Sequence, residues 1–265
     1  MFDVRGYAEK VNRMRKQGET ITNMFLPVSS LDKIAQQEDS QLYFNEGVLA
    51  FTYSDNGVNR LCFHLSSLEQ AQNLDRLLEK TEKRPLVADC VGREENILLL
   101  SEALIQVGFF VYARMSRWHG SSIAHFPELE RKVFIAAKAK HTESIQRLFM
   151  ESFDPLISHL PNTEKLQSLI AKDLVFCLEE QKHVQAVACL ERIGKKGIYL
   201  YQYAVSKAYW KKNTGSAIFQ YALEQFSACN SFTSWTTDDN AASNRIHEKF
   251  GMKRDGLKNI ILIYP

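Results

Sequence analysis

The run Asn240-Ala241-Ala242-Ser243-Asn244-Arg245-Ile246-His247-Glu248-Lys249-Phe250-Gly251-Met252 decides how the chain is read. Asn240, or Asp238 or Asp239 just before it, can cap a helix. Small residues on the first turn let something lie against that helix. Ile246 and Phe250 stand four apart, so they share a face that should turn to the core. Gly251 then ends the helix. Upstream, residues 198–205 form an apolar strand, and Lys211, Lys212, Asn213, Thr214, Gly215 and Ser216 make a short basic turn with one glycine. A helix-like run at 217–226 and a second strand around 232–237 complete the segment. Free N–H groups at a helix start favour an anion, Gly215 allows close approach and unusual φ, and Lys211 and Lys212 add positive charge nearby. From this turn alone, a phosphate cradle and an ordinary solvated turn look the same.

The rest of the composition bounds the class. The chain has 265 residues and 45% apolar content, enough for one large domain or two ordinary ones with a real core. Lys plus Arg number 33 against 31 Asp plus Glu. That balance gives no reason to expect nucleic acid or acidic membrane as a partner, so any phosphate binding must be local. The five cysteines, Cys62, Cys90, Cys177, Cys189 and Cys229, are widely spaced and mostly set in apolar runs. They read as buried free thiols, with no CxxC or Cys/His cluster to suggest a metal. No window approaches the ~20 apolar residues of a membrane span. The expectation is a soluble cytoplasmic protein.

Taken in order, Tyr7, Val11 and Met14 mark an amphipathic helix ending at Gly18. A short element at 25–28 ends at Pro27, and a helix follows, capped by Ser29 or Ser30. Strands at 48–53 and 58–65 flank Asn56-Gly57, a strong hairpin signal because both central positions of a type I′ turn need positive φ. A helix at 68–80, a strand at 85–90, a helix at 94–107 closed by Gly108 and a strand at 109–115 follow. Residues 119–131 lose periodicity and read as a linker between domains 1–118 and 132–265. The second half opens with a strand at 132–138, two helices (one capped by Thr142, one marked by Leu166, Leu169 and Ile170) and strands at 174–178 and 184–192. After the opening segment the chain ends in an apolar strand at 260–264. Aligning Gly108-Phe109 with Gly251-Met252 lays helix 95–107 on 238–250, and strand 86–90 answers to 233–237. A period near half the chain with shared element order argues for two copies of one fold.

Residues 205–219 and 240–252 together resemble the acetyl-coenzyme A signature of the GNAT superfamily of N-acetyltransferases. The helix pattern N-x-x-A-x-x-L-Y-x-K-x-G-F is matched at Asn240, Lys249 and Gly251, and conservatively at Ser243, Ile246 and Met252. In the loop pattern R/Q-x-x-G-x-G/A, Trp210 replaces Arg or Gln and Asn213 replaces the first glycine, while Gly215 survives. Asn reaches positive φ more readily than other non-glycine residues, so the loop can still form. The resemblance covers residues 131–265. The first half resembles the family by element order and by the Gly108-Phe109 ending. It has no glycine where the phosphate turn belongs, at 65–70, and reads as a degenerate copy that completes packing or walls the acceptor cleft.

The resemblance implies an α+β fold: two GNAT-like domains, each a mostly antiparallel mixed sheet with a splayed central strand pair flanked by helices. It implies acetyl-CoA as co-substrate, held by Tyr203, Ala204, Val205, Lys211, Lys212, Asn213, Thr214, Gly215, Ser216 and Asn240. It further implies transfer of an acetyl or short acyl group to an amine, strand amides polarising the thioester carbonyl. The family's tyrosine, a proton donor to the leaving thiolate, falls at His247. That histidine is either the donor or a partly buried residue with no catalytic duty. Glu191 is the best nearby carboxylate for a base, or else a strand-end charge paired with Arg192 or Lys195. His159 lies in the acceptor-side segment. A catalytically silent module binding CoA or a partner protein is the alternative, and a donor arm on an acidic carrier protein, met by Lys211 and Lys212, is a third reading. The amine acceptor is not readable.

Overall fold

The computed structural model describes residues 3–18, 20–24, 28–45, 47–79, 81, 84–121, 124–126, 129 and 133–265. The chain divides into two units, Met1–Arg114 with Gly256–Pro265, and Met115–Asp255. In chain order the elements are α1 (Val4–Gln17), β1 (Ile21–Thr22), α2 (Val28–Ala35), β2 (Gln41–Asn45), β3 (Val48–Asp55), β4 (Val58–Leu65), α3 (Ala71–Leu78), β5 (Leu86–Arg93), α4 (Glu94–Ile105) and β6 (Phe110–Gly120). Then come β7 (Ile135–Ala136), α5 (Thr142–Ser152), α6 (Thr163–Ile170), β8 (Val175–Glu180), β9 (His183–Ile193), β10 (Gly197–Val205), α7 (Thr214–Glu224), β11 (Ser231–Thr237), α8 (Ala241–Lys249) and β12 (Lys253–Tyr264). The fold is mixed α and β, with helices flanking sheets of antiparallel and parallel pairs. No helix among the described residues is long and apolar enough to cross a membrane.

In the first unit the strand order is β2-β3-β4-β5-β12. Asn56 and Gly57 take φ of 50° and 82°, and β3 and β4 pair from Asp55↔Val58 outward, the type I′ hairpin their residue types require. Alternation along these strands feeds two cores. Leu49, Phe51, Tyr53 and Cys62 pack against Tyr7, Val11, Met14, Leu31 and Ile34 of α1 and α2. Val48, Ala50, Leu61, Phe63 and Leu65 join Leu74, Leu78, Leu100 and Leu104 of α3 and α4. Asp3 caps α1, its Oδ1 accepting from Arg5 N at 3.1 Å. A buried Arg60–Asp89 pair at 3.3 Å, with Asn259 Nδ2 donating to Asp89 Oδ1 at 2.8 Å, ties β4, β5 and β12 together.

The last strand departs from the expected order. Instead of closing the second half, residues 257–264 pair antiparallel with β5, from Leu257↔Arg93 to Tyr264↔Leu86. The second unit's edge is taken by residues 115–120 of β6, paired with β11 from Met115↔Thr237 to Gly120↔Phe232. Each copy's final strand thus completes the other copy's unit. The reason is chemical complementarity: Ile260, Leu262 and Tyr264 fill the α3–α4 core, whereas Trp118 belongs to the core of the second unit.

Other expectations shift in detail. The first strand of the second half is only Ile135–Ala136, and Lys132 lies outside the described residues, as do residues 25–27 of the short element ending at Pro27. The β2 edge strand, Leu42, Tyr43 and Phe44 between the amides Gln41 and Asn45, has no counterpart among the expected strands. The five cysteines are free thiols, four of them buried. The repeat is visible in the helix ends. Phe109 N donates to Leu104 O at 3.2 Å after Gly108 at φ 96°, and Met252 N donates to His247 O at 3.0 Å after Gly251 at φ 78°.

Leu262→Ala should lower the unfolding free energy by about 3 kcal/mol. Loss of amide protection in β5 should exceed that in β11 by hydrogen exchange. Equal loss in both would contradict the pairing of the terminal strand.

Candidate active site

The second unit has strand order β11-β10-β9-β8-β7, with residues 115–120 of β6 outside β11. β10 pairs in parallel with β11 only from Gly197↔Ser231 to Leu200↔Ser234. Its antiparallel pairing with β9 continues to Val205↔Ala186, with a bulge between Leu200 and Gln202. Beyond Leu200 the β10–β11 ladder ends, and a bulge at that point bends the strand and re-aims its side chains.

The turn into α7 is built around two left-handed residues. Lys211 has φ 61° and Asn213 φ 56°, so Asn213 takes the conformation for which its residue type is suited. Asn213 is the N-cap of α7 and contributes no side-chain cap. Thr214, 1% exposed, has Oγ1 buried without a hydrogen-bond partner. Lys212 Nζ lies 5.1 Å from the Tyr209 ring centroid, and Tyr209 Oη donates to Glu180. Trp210 is 58% exposed, yet its Nε1 donates to Val205 O at 2.8 Å. Gly215 corrects the expectation of an unusual φ: it sits inside the first turn of α7, and a Cβ there would come 3.3 Å from Ile246 Cδ1 and 3.8 Å from Val205 Cγ2. Its smallness lets α7 approach α8 and the end of β10. Ser216 is buried on the same turn.

On β10, Ala204 is buried and Tyr203 crosses to α8, where its Oη and Ser243 Oγ lie 2.5 Å apart. Burial pushes the Tyr203 phenol up to about 12, with the Ser243 bond opposing. Asn240 caps α8 as its position implies, Oδ1 accepting from Ser243 N at 3.0 Å. Ile246 packs on the core and Phe250 is fully buried within it.

His247 is 0% exposed, stacked on Trp118 at 5.3 Å and edge-on to Phe219 at 5.2 Å. Nδ1 lies 2.8 Å from Ser243 O, an acceptor only, so the ring proton sits on Nδ1. Nε2 then accepts from Ser234 Oγ at 2.5 Å. Burial lowers its pKa from 6.5 to about 4, the Ser243 carbonyl opposing slightly. Of the two readings of His247, this geometry matches the buried histidine. Its one ring proton is committed to a main-chain carbonyl, and the residue is fully buried.

Glu191, on β9, faces Tyr199 in register. Its partner is neither Arg192 nor Lys195 but Lys165 of α6, whose Nζ contacts Oε1. Lys165 Nζ also lies 5.9 Å from the Tyr201 ring centroid, and Tyr201 Oη donates to His159 O. Sequence reasoning missed Lys165, Ser234 and Trp118, since their partners lie on distant elements. The Asn162 cap of α6, Oδ1 accepting from Lys165 N at 2.9 Å, was the one local signal fixing where Lys165 would start.

A buried neutral histidine has a consequence for stability. Between pH 6.5 and about 4 the unfolded chain protonates this residue and the folded chain does not, so folding weakens as pH falls through that window. The loss amounts to about 3 kcal/mol at its lower end. His247→Gln keeps a donor and an acceptor but does not titrate. Its unfolding free energy, from urea denaturation at a series of pH values, should fall less steeply with acid than that of the parent; identical slopes would contradict the burial-depressed pKa.

Residues 142–252 match the family model described as "Acetyltransferase (GNAT) family". No curated protein matches the sequence. Among solved structures, the chain is similar to a GCN5-related N-acetyltransferase from Sphaerobacter thermophilus, with TM-score 0.61, 10% identity, and 90% of this chain and 85% of that chain covered. It is similar to a GCN5-related N-acetyltransferase from Kribbella flavida, with TM-score 0.58, 14% identity and coverages of 89% and 93%. It is also similar to a tandem GNAT protein from the clavulanic acid biosynthesis pathway, with TM-score 0.54, 8% identity and coverages of 89% and 86%. At these identities the likeness to the solved structures is one of fold. Residues 142–252 are therefore a domain of the acetyltransferase (GNAT) family, set in a chain whose fold is that of GNAT acetyltransferases.

Proposed function

We propose that the second unit transfers an acetyl or short acyl group from acyl-CoA to an amine. The GNAT fold supports acyl transfer from acyl-CoA in general. The observation that carries the finer reading is the parting of β10 from β11 after Leu200↔Ser234, with the α7 N-terminus at the far end of β10. The residues there fit a CoA substrate. The first-turn amides of α7 have no capping side chain, and Thr214 Oγ1 is buried without a partner. Both are groups that a pyrophosphate satisfies, with Lys211 and Lys212 adding charge. Tyr203, Ala204, Val205, Asn213, Gly215, Ser216 and Asn240 shape the remainder of the slot.

Bound acyl-CoA supplies a thioester carbonyl for amine attack. In this reading the main-chain N–H groups of β10 past the bulge polarise that carbonyl. Glu191 removes a proton from the acceptor, because a protonated amine has no lone pair to attack with. The catalytic role of His247 is not part of the reading; it holds α8 against β11.

A second reading, a silent CoA-binding module, is favoured by the Trp210 bond to Val205 O, which engages the last carbonyl of β10 from within the chain. Calorimetry and turnover separate the two. Acetyl-CoA is expected to bind with micromolar affinity, and Gly215→Trp to abolish binding by driving a large side chain into Ile246. Glu191→Gln should lower kcat about a hundredfold without changing acetyl-CoA affinity. No binding at millimolar acetyl-CoA would sink both readings; binding without turnover of any amine would leave the silent module.

A further inference from the structure

In the first unit β3 holds one edge of β4 along its whole length, from Asp55↔Val58 to Val48↔Leu65. The pair Asp55↔Val58 closes a two-residue turn. Residues 58, 60, 62 and 64 therefore turn their main-chain groups to β3, and 59, 61, 63 and 65 turn theirs to the other edge. On that other edge β5 runs parallel to β4 and meets it only at Arg60↔Val87. β4 and β5 thus part, as β10 and β11 part after Leu200↔Ser234. Among the described residues no further strand takes up the edge that β11 leaves on β10.

The matching edge of β4 is filled from within the chain. Ile21 and Thr22 of β1 pair antiparallel with Leu65 and His64. Asn23 extends the cover with its side chain: Nδ2 donates to Leu61 O at 2.9 Å, and Oδ1 accepts from Phe63 N at 2.7 Å. Thr22 Oγ1 donates to Phe63 O at 2.7 Å and accepts from Met24 N at 3.0 Å. A carboxamide presents a donor and an acceptor as a peptide group does, so Asn23 stands in for a strand where β1 has ended. Asn23 is only 4% exposed, and these bonds satisfy an amide that would otherwise be costly to bury. The outward-facing groups of Leu61 and Phe63 are the ones engaged.

We propose that Ile21, Thr22 and Asn23 are a built-in occupant of the slot between β4 and β5, and that they close the first unit to an extended amide chain of the acyl-pantetheine type. It rests on the reading of the β10 slot as the place of the donor arm. An acyl-pantetheine arm is an extended chain with two secondary amides. To lie along β4 it needs the groups of Leu61 and Phe63 that Asn23 and Thr22 already hold. The two occupants exclude each other, and the tethered one loses no translational freedom on docking. The protein then takes up one donor arm per chain, on the second unit.

The test uses the full chain with S-acetyl-pantetheine as the probe, read by amide chemical shifts and hydrogen exchange. The probe carries no pyrophosphate, so the different helix entrances of the two units do not enter. In the parent, Phe63 N–H is expected to exchange as slowly as the β3–β4 ladder, and the probe to leave Phe63 and Leu65 unshifted. Thr22→Val with Asn23→Ala removes the three side-chain bonds to β4. Phe63 N–H should then exchange about tenfold faster, the size of one lost hydrogen bond. The Cys62 amide, turned to β3, should keep its protection, and the probe should shift Phe63 and Leu65 saturably. If the double variant does not fold, Asn23→Ala alone is measured in the same way. A probe-dependent shift at Phe63 in the parent, an unchanged Phe63 exchange rate in the variant, or an open Phe63 that the probe does not shift overturns the closure. The β10 amides report separately on the donor reading: no shift there in either protein sinks that reading, while the β4 amides still decide the closure.

Discussion

Two parallel strands that share hydrogen bonds as far as Leu200↔Ser234 and then part set the terms for the rest of the second unit. A strand that leaves its neighbour exposes main-chain donors and acceptors that must be matched by something, since an unmatched buried group costs about 1–3 kcal/mol. β9 secures one side of β10 as far as Val205, and the bulge at Tyr201 lets the strand bend without losing that ladder. The two helices beside the gap must then be held without the sheet's help. Gly215 permits α7 to lie against Ile246 of α8, and Tyr203 bridges β10 to Ser243 at the start of α8.

Holding α8 against β11 falls to a buried polar chain rather than to apolar packing alone. Ser234 donates to His247, which donates to Ser243 O; Trp118 Nε1 donates to Thr236 Oγ1 at 2.9 Å, and Thr236 donates to Asn244 Oδ1 at 2.5 Å. Asn244 in turn donates to the carbonyls of Thr237 and Asp238, where β11 gives way to the helix. Each member satisfies another, so the network fixes one orientation of α8, whereas an apolar interface of the same size would tolerate several. This is why a histidine can be fully enclosed here: its two nitrogens find complementary partners, and Trp118 and Phe219 cover its faces.

What the sequence made legible was local. Asn56-Gly57 dictates its own turn, Asn240 its cap, and Gly108 and Gly251 their helix ends, because in each case the controlling atoms lie within a few residues. The mixed fold and the parted strand pair were what the resemblance carried by 205–219 and 240–252 implied. The illegible features depend on residues far apart in sequence. Nothing near Glu191 names Lys165 as its partner, nothing near His247 names Ser234 and Trp118, and Arg60, Asp89 and Asn259 meet only once three strands are assembled. The destination of the terminal strand is of the same kind. Residues 260–264 are apolar enough for either core, and only the fit of Leu262 and Tyr264 among the side chains of α3 and α4 distinguishes them.

The two copies show how one backbone plan carries different side-chain chemistry at matching positions. Their helices α4 and α8 end in the same hydrogen bonds, but the position before the closure is Leu104 in one and His247 in the other. Leu104 needs no partner, so its helix packs on an apolar core, while His247 demands the polar chain that positions α8. The helix entrances diverge in charge. Before α7 stand Lys211 and Lys212, whereas the turn before α3 carries Glu69, whose carboxyl is held below its ordinary range chiefly by a hydrogen bond from Ser67. A carboxylate at a helix start already supplies the negative charge that the amides favour and repels a phosphate. The same strand-turn-helix plan therefore carries basic side chains at the helix start in the second unit and an acidic one in the first, through a few turn residues and without any change of fold.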